Sequence, residues 1–260
     1  MHTRSKQSVR KFSELKFHEH HARVLESFNR LRDKNLLGED HLSMSVRIPG
    51  RDAFAFLDLD RPESLATQTP GGVLPRAKQV VILDFAGQPL PTEEPEAGIA
   101  RLERRRLHGG IYAARPDVGA IVLNRPPWGG ALAQIQNPMP GIFDEQARQM
   151  GPRVERLPAN IVTGSGLAPE ILKILRGGAN VFIYEEHALC LGMTRERAIF
   201  NSELLEKCAK AYVLALATGQ PIRRIPWFVR FIAHRRLLKD ERRSAAAYAR
   251  GEIPTGFTAY

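Results

Sequence analysis

Histidines and arginines supply the reactive side chains that stand out in this chain. His41, His108 and His187 carry imidazoles, which exchange protons near neutral pH and also bind metal ions. Arg47 and Arg125 carry guanidinium groups, which can hold a carboxylate or a phosphate through two hydrogen bonds. These residue types suit acid–base or metal chemistry on a small anionic substrate.

The segment that begins at His108 is the most informative part of the sequence. Tyr112 follows His108 by one helical turn, and Arg-Pro-Asp at 115–117 comes directly after this predicted helix. A run of small apolar residues at 118–123 then predicts a buried strand, with Arg125 two residues beyond it. The pattern indicates that a helix and a strand bring His108 and Arg125 into the same fold unit.

These features, in this order, resemble the class II aldolase and adducin family. The other matching segments are Gly38-Glu39-Asp40-His41-Leu42-Ser43-Met44-Ser45-Val46-Arg47, Thr163-Gly164-Ser165-Gly166, Glu186-His187-Ala188-Leu189-Cys190-Leu191-Gly192 and the helix 198–216. The resemblance spans residues 20–220. It implies an α/β fold, a three-layer α/β/α sandwich with a mostly antiparallel central sheet. It also implies a homo-oligomer, often a tetramer with its site at a subunit interface. The cytoplasm is the expected location, because the only two cysteines, Cys190 and Cys208, do not form a Cys-x-x-Cys pair and fit a reducing compartment.

The chain departs from the family at the metal site. Metal-dependent members carry His-x-His where this chain has Leu123 and Arg125, and their catalytic glutamate falls where it has Arg104. The third family histidine is kept as His187. A catalytic zinc ion needs about three protein ligands, so the standard zinc site is not expected here.

Three functions remain open on this basis. First, His41, His108 and His187 could form a relocated site for non-haem Fe(II) or another divalent metal, since imidazole suits several such metals. The chain would then resemble the aldolase-like oxidative decarboxylases of aminocoumarin antibiotic biosynthesis. Second, Arg125 could stabilise an enolate in place of the metal, with His187 or His108 as general acid or base. Third, the chain could be a non-catalytic interaction module, as the resemblance to the adducin head domain implies.

The leading prediction is a small-molecule enzyme that acts at a C–C bond next to a carbonyl or carboxylate. It would be a lyase or an oxidative decarboxylase of an oxo or hydroxy acid in secondary metabolism. His41, Ser43 and Arg47 are the expected substrate-binding residues, because in the family this early segment holds an anionic group. Trp128 lies in a Pro/Gly-rich segment, and we expect it to line a pocket for an aromatic or apolar substrate.

Composition narrows the class of protein. The chain has 260 residues, 43% of them hydrophobic, which is enough for one sizeable core. No apolar run of about 18 residues occurs, so no membrane span is expected. The net charge is +10, but no nucleic-acid-binding motif is visible, so nucleic acid is not an expected partner. We expect a flexible basic tail at 1–12, a domain at 13–220 and a basic extension at 221–260.

Periodicity and capping residues predict the elements that position these side chains. Helices are predicted at 13–37, 94–115, 167–175 and 194–218, with two short helices at 228–235 and 239–248. Gly38 is expected to end the first helix, and Thr194 and Gly219 to cap the fourth. Strands are predicted at 41–48, 53–59, 80–84, 118–123, 180–184 and 189–192, and loops at 62–76 and 126–140.

Overall fold

The structure is a computed structural model that describes residues 19–38, 41–60, 80–90, 99–158, 161–163 and 166–257. The predicted basic tail at 1–12 and the predicted loop at 62–76 lie outside the described residues. No helix in the described ranges is both long enough and apolar enough to span a membrane.

Helices and strands alternate irregularly along the described chain. The helices are α1 (19–33), α2 (Ile99–Ala114), α3 (Pro127–Ala133), α4 (Asp144–Gln149), α5 (Pro169–Leu175), α6 (Arg195–Ala217) and α7 (Trp227–Ala249). The strands are β1 (His41–Arg47), β2 (Ala53–Asp60), β3 (Val80–Asp84), β4 (Ala120–Asn124), β5 (Met139–Pro140), β6 (Arg153–Leu157), β7 (Val162–Thr163), β8 (Gly166–Leu167), β9 (Val181–Tyr184) and β10 (His187–Gly192).

Eight of these strands form one sheet in the order β3-β2-β1-β4-β10-β9-β6-β5. Neighbouring strands are antiparallel except for β6 and β9, which are parallel. β7 and β8 form a separate antiparallel pair. The predicted mostly antiparallel central sheet is confirmed.

Helices cover both faces of the sheet, and each face has its own apolar core. Alternate residues of β10 show the division, because Cys190 packs with side chains of α1, α3 and α6, whereas Leu189 packs with those of α2 and α5. The three-layer α/β/α sandwich is therefore confirmed, with α1, α3 and α6 on one side and α2 and α5 on the other.

Several predicted helix boundaries follow from simple capping chemistry. Thr194 Oγ1 accepts a hydrogen bond from the Arg197 N–H and begins α6 as expected, and Gly219 follows the helix with φ +68°. Gly38 is not the left-handed residue after α1; Asn35 is, with φ +55°. A Cβ on Gly38 would lie 2.7 Å from the Arg125 carbonyl oxygen, so this glycine allows close backbone approach instead.

Two predictions about local structure are wrong. The segment 126–140 is not a continuous loop, because it contains α3. The two short helices predicted near the end of the chain are one helix, α7, of 23 residues. Its acidic residues Asp240 and Glu241 are buried and ion-paired, so they do not interrupt it.

Candidate functional site

Arg125 lies at one end of the sheet, in the same transverse row as two of the predicted histidines. Ser43 of β1 is opposite Leu123 of β4, and Leu123 is opposite Leu189 of β10. If the β1–β4 and β4–β10 pairings are continued two residues beyond Leu123, the backbone of Arg125 falls between those of His41 and His187. The structure thus brings these three positions together at the end of the central strands.

His187 begins β10 and pairs directly with Tyr184, the last residue of β9. Paired residues of antiparallel strands point to the same face, here the α2 side. His187 is 9% exposed, and the ring of Tyr184 packs against the core on that side. Burial raises the pKa of Tyr184 to about 12, with a further contribution from the charges of Glu185 and Glu103. The phenol therefore stays protonated at neutral pH and can donate a hydrogen bond or a proton.

The Arg125 guanidinium forms an ion pair with Glu186, with 3.0 Å between Nη2 and Oε2. Both side chains reach solvent, because 32% of the Arg125 side chain and 58% of the Glu186 side chain are exposed. The stem of Arg125 lies against Gly130, where a Cβ would come within 3.1 Å of Cγ. Close packing thus fixes the stem while the charged end remains accessible.

His108 is placed deeper than this row and is completely buried. Its Nε2 lies 3.1 Å from Ser43 Oγ and its Nδ1 lies 2.8 Å from Ser45 Oγ. Ser45 Oγ is also 2.8 Å from the hydroxyl of Tyr112. The structure therefore does not bring His108 or Ser43 to the accessible end of the sheet. In this arrangement both ring nitrogens tie α2 to β1.

Arg47 lies at the other end of β1, six residues and about 20 Å from His41. Its guanidinium donates to the carbonyl oxygens of Val118, Tyr112 and Arg115, at 2.6, 2.8 and 2.9 Å. Burial lowers the pKa of Arg47. A cation at the carbonyl end of a helix is stabilising, so Arg47 caps α2 in this structure and is not part of the Arg125 row.

Trp128 belongs to α3, on the side of the sheet away from α2. Its half-buried ring packs against the core there, with the Lys210 ammonium 5.7 Å from the ring centroid. The carboxylate of Glu206 accepts hydrogen bonds from the backbone N–H groups of Trp128 and Gly129, each at 2.8 Å. The described structure therefore places Trp128 on the opposite side of the sheet from His187, although its helix touches the stem of Arg125 through Gly130.

The side chains at two of the family's metal-ligand positions, and at the position of its catalytic glutamate, do not fit a zinc site. Leu123 is 1% exposed within the apolar core on the α2 side. Arg104 binds the buried carboxylate of Asp58 through Nε and Nη2, at 2.9 and 2.8 Å. Arg125 is also a cation. Among the residues that the structure describes, no three His, Cys, Asp or Glu side chains are grouped so as to hold a metal ion.

Tyr184 and Glu186 are candidate site residues that the sequence prediction missed. They flank a tight β9–β10 connection in which Glu185 adopts φ +51°, a left-handed conformation uncommon for a residue with a side chain. The sequence Tyr-Glu-Glu-His lacks the Asn-Gly or Asp-Gly pair that usually marks such a turn. The pairing of Tyr184 with His187 was therefore not visible without the strand register.

Comparison with known proteins gives a consistent family relationship. The profile of the Class II Aldolase and Adducin N-terminal domain matches residues 72–213, more than half of the chain. The 5-methylthioribulose-1-phosphate/5-deoxyribulose-1-phosphate aldolase of Rhodospirillum rubrum is 26% identical over 157 residues, which cover 59% of this chain and 68% of that protein.

Solved structures show the same fold at lower sequence identity. An L-fuculose 1-phosphate aldolase has a TM-score of 0.64 at 18% identity, covering 85% of this chain and 96% of that chain. The L-fuculose 1-phosphate aldolase from Glaciozyma antarctica PI12 has a TM-score of 0.63 at 18% identity, covering 91% and 89%.

Proposed function

The chain belongs to the class II aldolase and adducin family, and we propose that it is a carbon–carbon lyase that works without the family's zinc site. The observation that carries the proposal is the accessible Arg125–Glu186 ion pair beside His187, at the positions that resemble the family's metal ligands. Arg125 thus supplies a positive charge where metal-dependent members of the family have a histidine that binds the metal ion.

The reaction class is cleavage next to a carbonyl group. In a retro-aldol step a base removes the hydroxyl proton, the C–C bond breaks and its electron pair forms an enolate on the carbonyl fragment. Loss of CO2 from a β-oxo acid produces the same kind of enolate. In both reactions a proton is then transferred to the enolate carbon, which gives the neutral carbonyl product.

Arg125 would stabilise the negative charge of the enolate oxygen. A guanidinium keeps its proton at any physiological pH, so it provides a fixed positive charge. Preorganised cations aimed at a developing oxyanion are among the strongest contributors to catalysis. Glu186 holds this cation in the resting protein, but an exposed ion pair is worth only about 0–1 kcal/mol, so an anionic substrate can displace Glu186.

His187 and Tyr184 would move the protons. Imidazole is the side chain most often used for proton transfer near neutral pH, and His187 lies at the edge of the core where a bound substrate can reach it. The Tyr184 phenol, protonated at neutral pH, is a proton donor on the adjacent strand. The two residues point to the same face, so they can act on one substrate.

The substrate class we propose is a small anionic hydroxy or oxo compound with a carboxylate or a phosphate. The names of the relatives support the phosphate, because they denote aldolases of 5-methylthioribulose 1-phosphate and L-fuculose 1-phosphate. The first hypothesis from the sequence is oxidative decarboxylation with iron. That reaction requires a bound metal ion, whereas the lyase reaction proposed here does not, so the metal requirement distinguishes the two.

The test begins with protein purified without chelators, whose metal content is measured. Chelator-treated protein is then assayed for C–C cleavage with a panel of ketose phosphates and β-oxo acids. We expect turnover to persist after chelation and Arg125→Gln to lower kcat/KM by about 100-fold or more. His187→Ala should also be strongly impaired. Arg153→Gln, which removes an exposed arginine paired with Glu155 on β6, is the matched control.

Turnover that requires added metal would contradict the proposal and favour the relocated-metal hypothesis. Full turnover in the Arg125→Gln variant would equally reject the assigned role. Absence of turnover across the panel, together with recovery of one stable protein partner, would favour the interaction-module hypothesis.

A further inference from the structure

The start of α7 exposes a concentrated group of large apolar side chains. Trp227 is 71% exposed, Phe228 52%, Phe231 53% and Ile232 51%. The spacing i, i+1, i+4 and i+5 places all four on one face of the helix. Soluble monomers rarely leave such a contiguous apolar patch uncovered, so this face indicates an interaction surface.

Arginines flank the patch along the chain, and the acids of the same segment are buried. Arg223 and Arg224 precede the patch and Arg235 and Arg236 follow it, and all four are exposed. The only acids in 221–243 are Asp240 and Glu241, which are buried against Arg148 and Arg115. The exposed part of this segment therefore carries positive charge alone. We call residues 223–236 the aromatic–basic surface.

A groove of about 730 Å³ between α4, α6 and α7 opens beside Phe228 and Ile232. Its lining includes the guanidinium groups of Arg148, Arg197 and Arg236. Burial, and secondarily the positive charge of Arg148, lowers the pKa of Arg197, so two cations lie close together in the groove. The lining also contains three acids: Asp240 is paired with Arg148 and Glu145 with Lys207, whereas Asp144 is exposed and accepts a hydrogen bond from the Glu145 N–H. Because its lining has four arginines, with Arg243 the fourth, the groove carries a small net positive charge next to apolar side chains.

We propose that the aromatic–basic surface docks reversibly on an anionic phospholipid bilayer. Trp and Phe side chains favour the boundary between headgroups and acyl chains, and arginines favour the negative surface of the cytoplasmic leaflet. The groove would receive a phosphate headgroup beside the inserted rings. This contact requires no spanning helix, and it is independent of the lyase reaction proposed above.

The charges favour this occupant over a second copy of the chain. A two-fold symmetric contact through this face would bring the same arginines of both copies together, which is repulsive. A head-to-tail contact would press this basic face against another copy of a chain whose net charge is +10, which is also unfavourable. A bilayer that contains phosphatidylserine instead supplies the opposite charge and an apolar layer in the same place.

The test is co-sedimentation of the full chain with vesicles of phosphatidylcholine alone or mixed with phosphatidylserine. We expect binding to the mixed vesicles that salt weakens, and little binding to phosphatidylcholine. The variants Trp227→Ser/Phe231→Ser and Arg223→Glu/Arg224→Glu should each lower the partition coefficient by about tenfold or more. The matched controls are Leu90→Ser, after β3, and Arg51→Glu, in the turn between β1 and β2. Both residues are exposed, and both variants should bind vesicles like the parent chain.

Circular dichroism and the Tm of each variant establish that it is folded. Equal binding to both vesicle types, or unchanged binding of both double variants, would overturn the proposal. The proposal would also be overturned if the parent chain did not bind vesicles but formed an oligomer that the Trp227→Ser/Phe231→Ser variant does not form. The partner of this surface would then be a second copy of the chain. Binding to a single-stranded oligonucleotide but not to vesicles would also overturn it.

Discussion

In the function proposed above, Glu186 and an anionic substrate compete for the Arg125 guanidinium. The Glu186 carboxylate lies 3.0 Å from Arg125 and is more than half exposed, so little free energy opposes its exchange for another anion. The proposed site therefore combines a fixed cation with a replaceable anion. This pairing keeps Arg125 oriented before substrate binds.

Replacing Glu186 with Gln should favour substrate binding. We expect KM for an anionic substrate to fall about two- to fivefold, because the competing charge is gone, while kcat changes little. Steady-state kinetics at two salt concentrations would measure this, since salt should reduce the difference. Glu170→Gln, an exposed acid at the start of α5, serves as the control. A higher KM in Glu186→Gln would show that the carboxylate helps to bind substrate.

The sequence indicated part of this site. His187 and Arg125 could be proposed because their segments match a family pattern in order. The sequence could not decide between a structural and a catalytic role for His108, because Ser43 and Ser45 alternate with apolar residues as they would on a strand with one solvent-facing side. In the structure α2 covers that side, and both serines hydrogen-bond to the His108 ring.

At the level of elements, the contacts of Ser45 join α2 to the middle of the sheet. Its hydroxyl links the ring of His108 with the hydroxyl of Tyr112, and all three side chains are buried. Burial raises the pKa of Tyr112 well above its usual value, so its phenol stays uncharged. A buried network whose polar groups are hydrogen-bonded suits a helix–sheet interface.

Ser45→Ala should lower the free energy of unfolding by about 1–3 kcal/mol, because it leaves buried polar atoms of His108 and Tyr112 without this partner. Denaturant unfolding would measure the change. Ser27→Ala is the control: Ser27 is also buried, but its hydroxyl bonds only to the Arg23 carbonyl within its own helix. Equal effects of the two substitutions would argue against the network.

The helices that periodicity missed are stabilised by distant residues. Gly129 and Gly130 disfavour a helix by about 1 kcal/mol each, yet Glu206 of α6 caps the first turn of α3 from 78 residues away. In α7, Lys239-Asp240-Glu241 interrupts the apolar pattern, but no Pro or Gly interrupts the helix itself. Such tertiary contacts have no local sequence signal.

At the scale of the whole molecule, Arg115 connects four parts of the fold. Its guanidinium donates to Asp117, to the carbonyl oxygens of Leu175 and Ala179, to Asn180 and to Glu241 of α7. The Arg-Pro-Asp motif, recognised as a family feature in the sequence, is therefore a structural junction that also holds α7 against the sandwich.

This junction predicts a pH dependence of stability. Burial, only partly offset by the charge of Arg115, raises the pKa of Glu241 from 4.5 to about 7. A carboxyl whose pKa is raised in the folded state adds stability below pH 4.5, and that contribution is lost as pH rises through 7. Glu241→Gln stays neutral, so the decline in unfolding free energy between these pH values should become smaller.

Denaturant titrations at several pH values would measure the effect. Glu252→Gln, which removes an exposed carboxylate paired with Arg250, should keep the pH profile of the parent chain. An unchanged profile in Glu241→Gln would mean that the ion pair with Arg115 outweighs burial.

The packing of Leu123, Arg104 and Arg125 limits which substitutions these positions can accept during evolution. A histidine at position 123 would put an imidazole into an apolar core, and a glutamate at 104 would meet the buried carboxylate of Asp58. A histidine at 125 would remove the counter-ion of Glu186. Each single step towards a metal site loses an existing interaction before any ligand set is complete. Gradual mutation is therefore expected to diversify the Arg125 site and not to build a zinc site there.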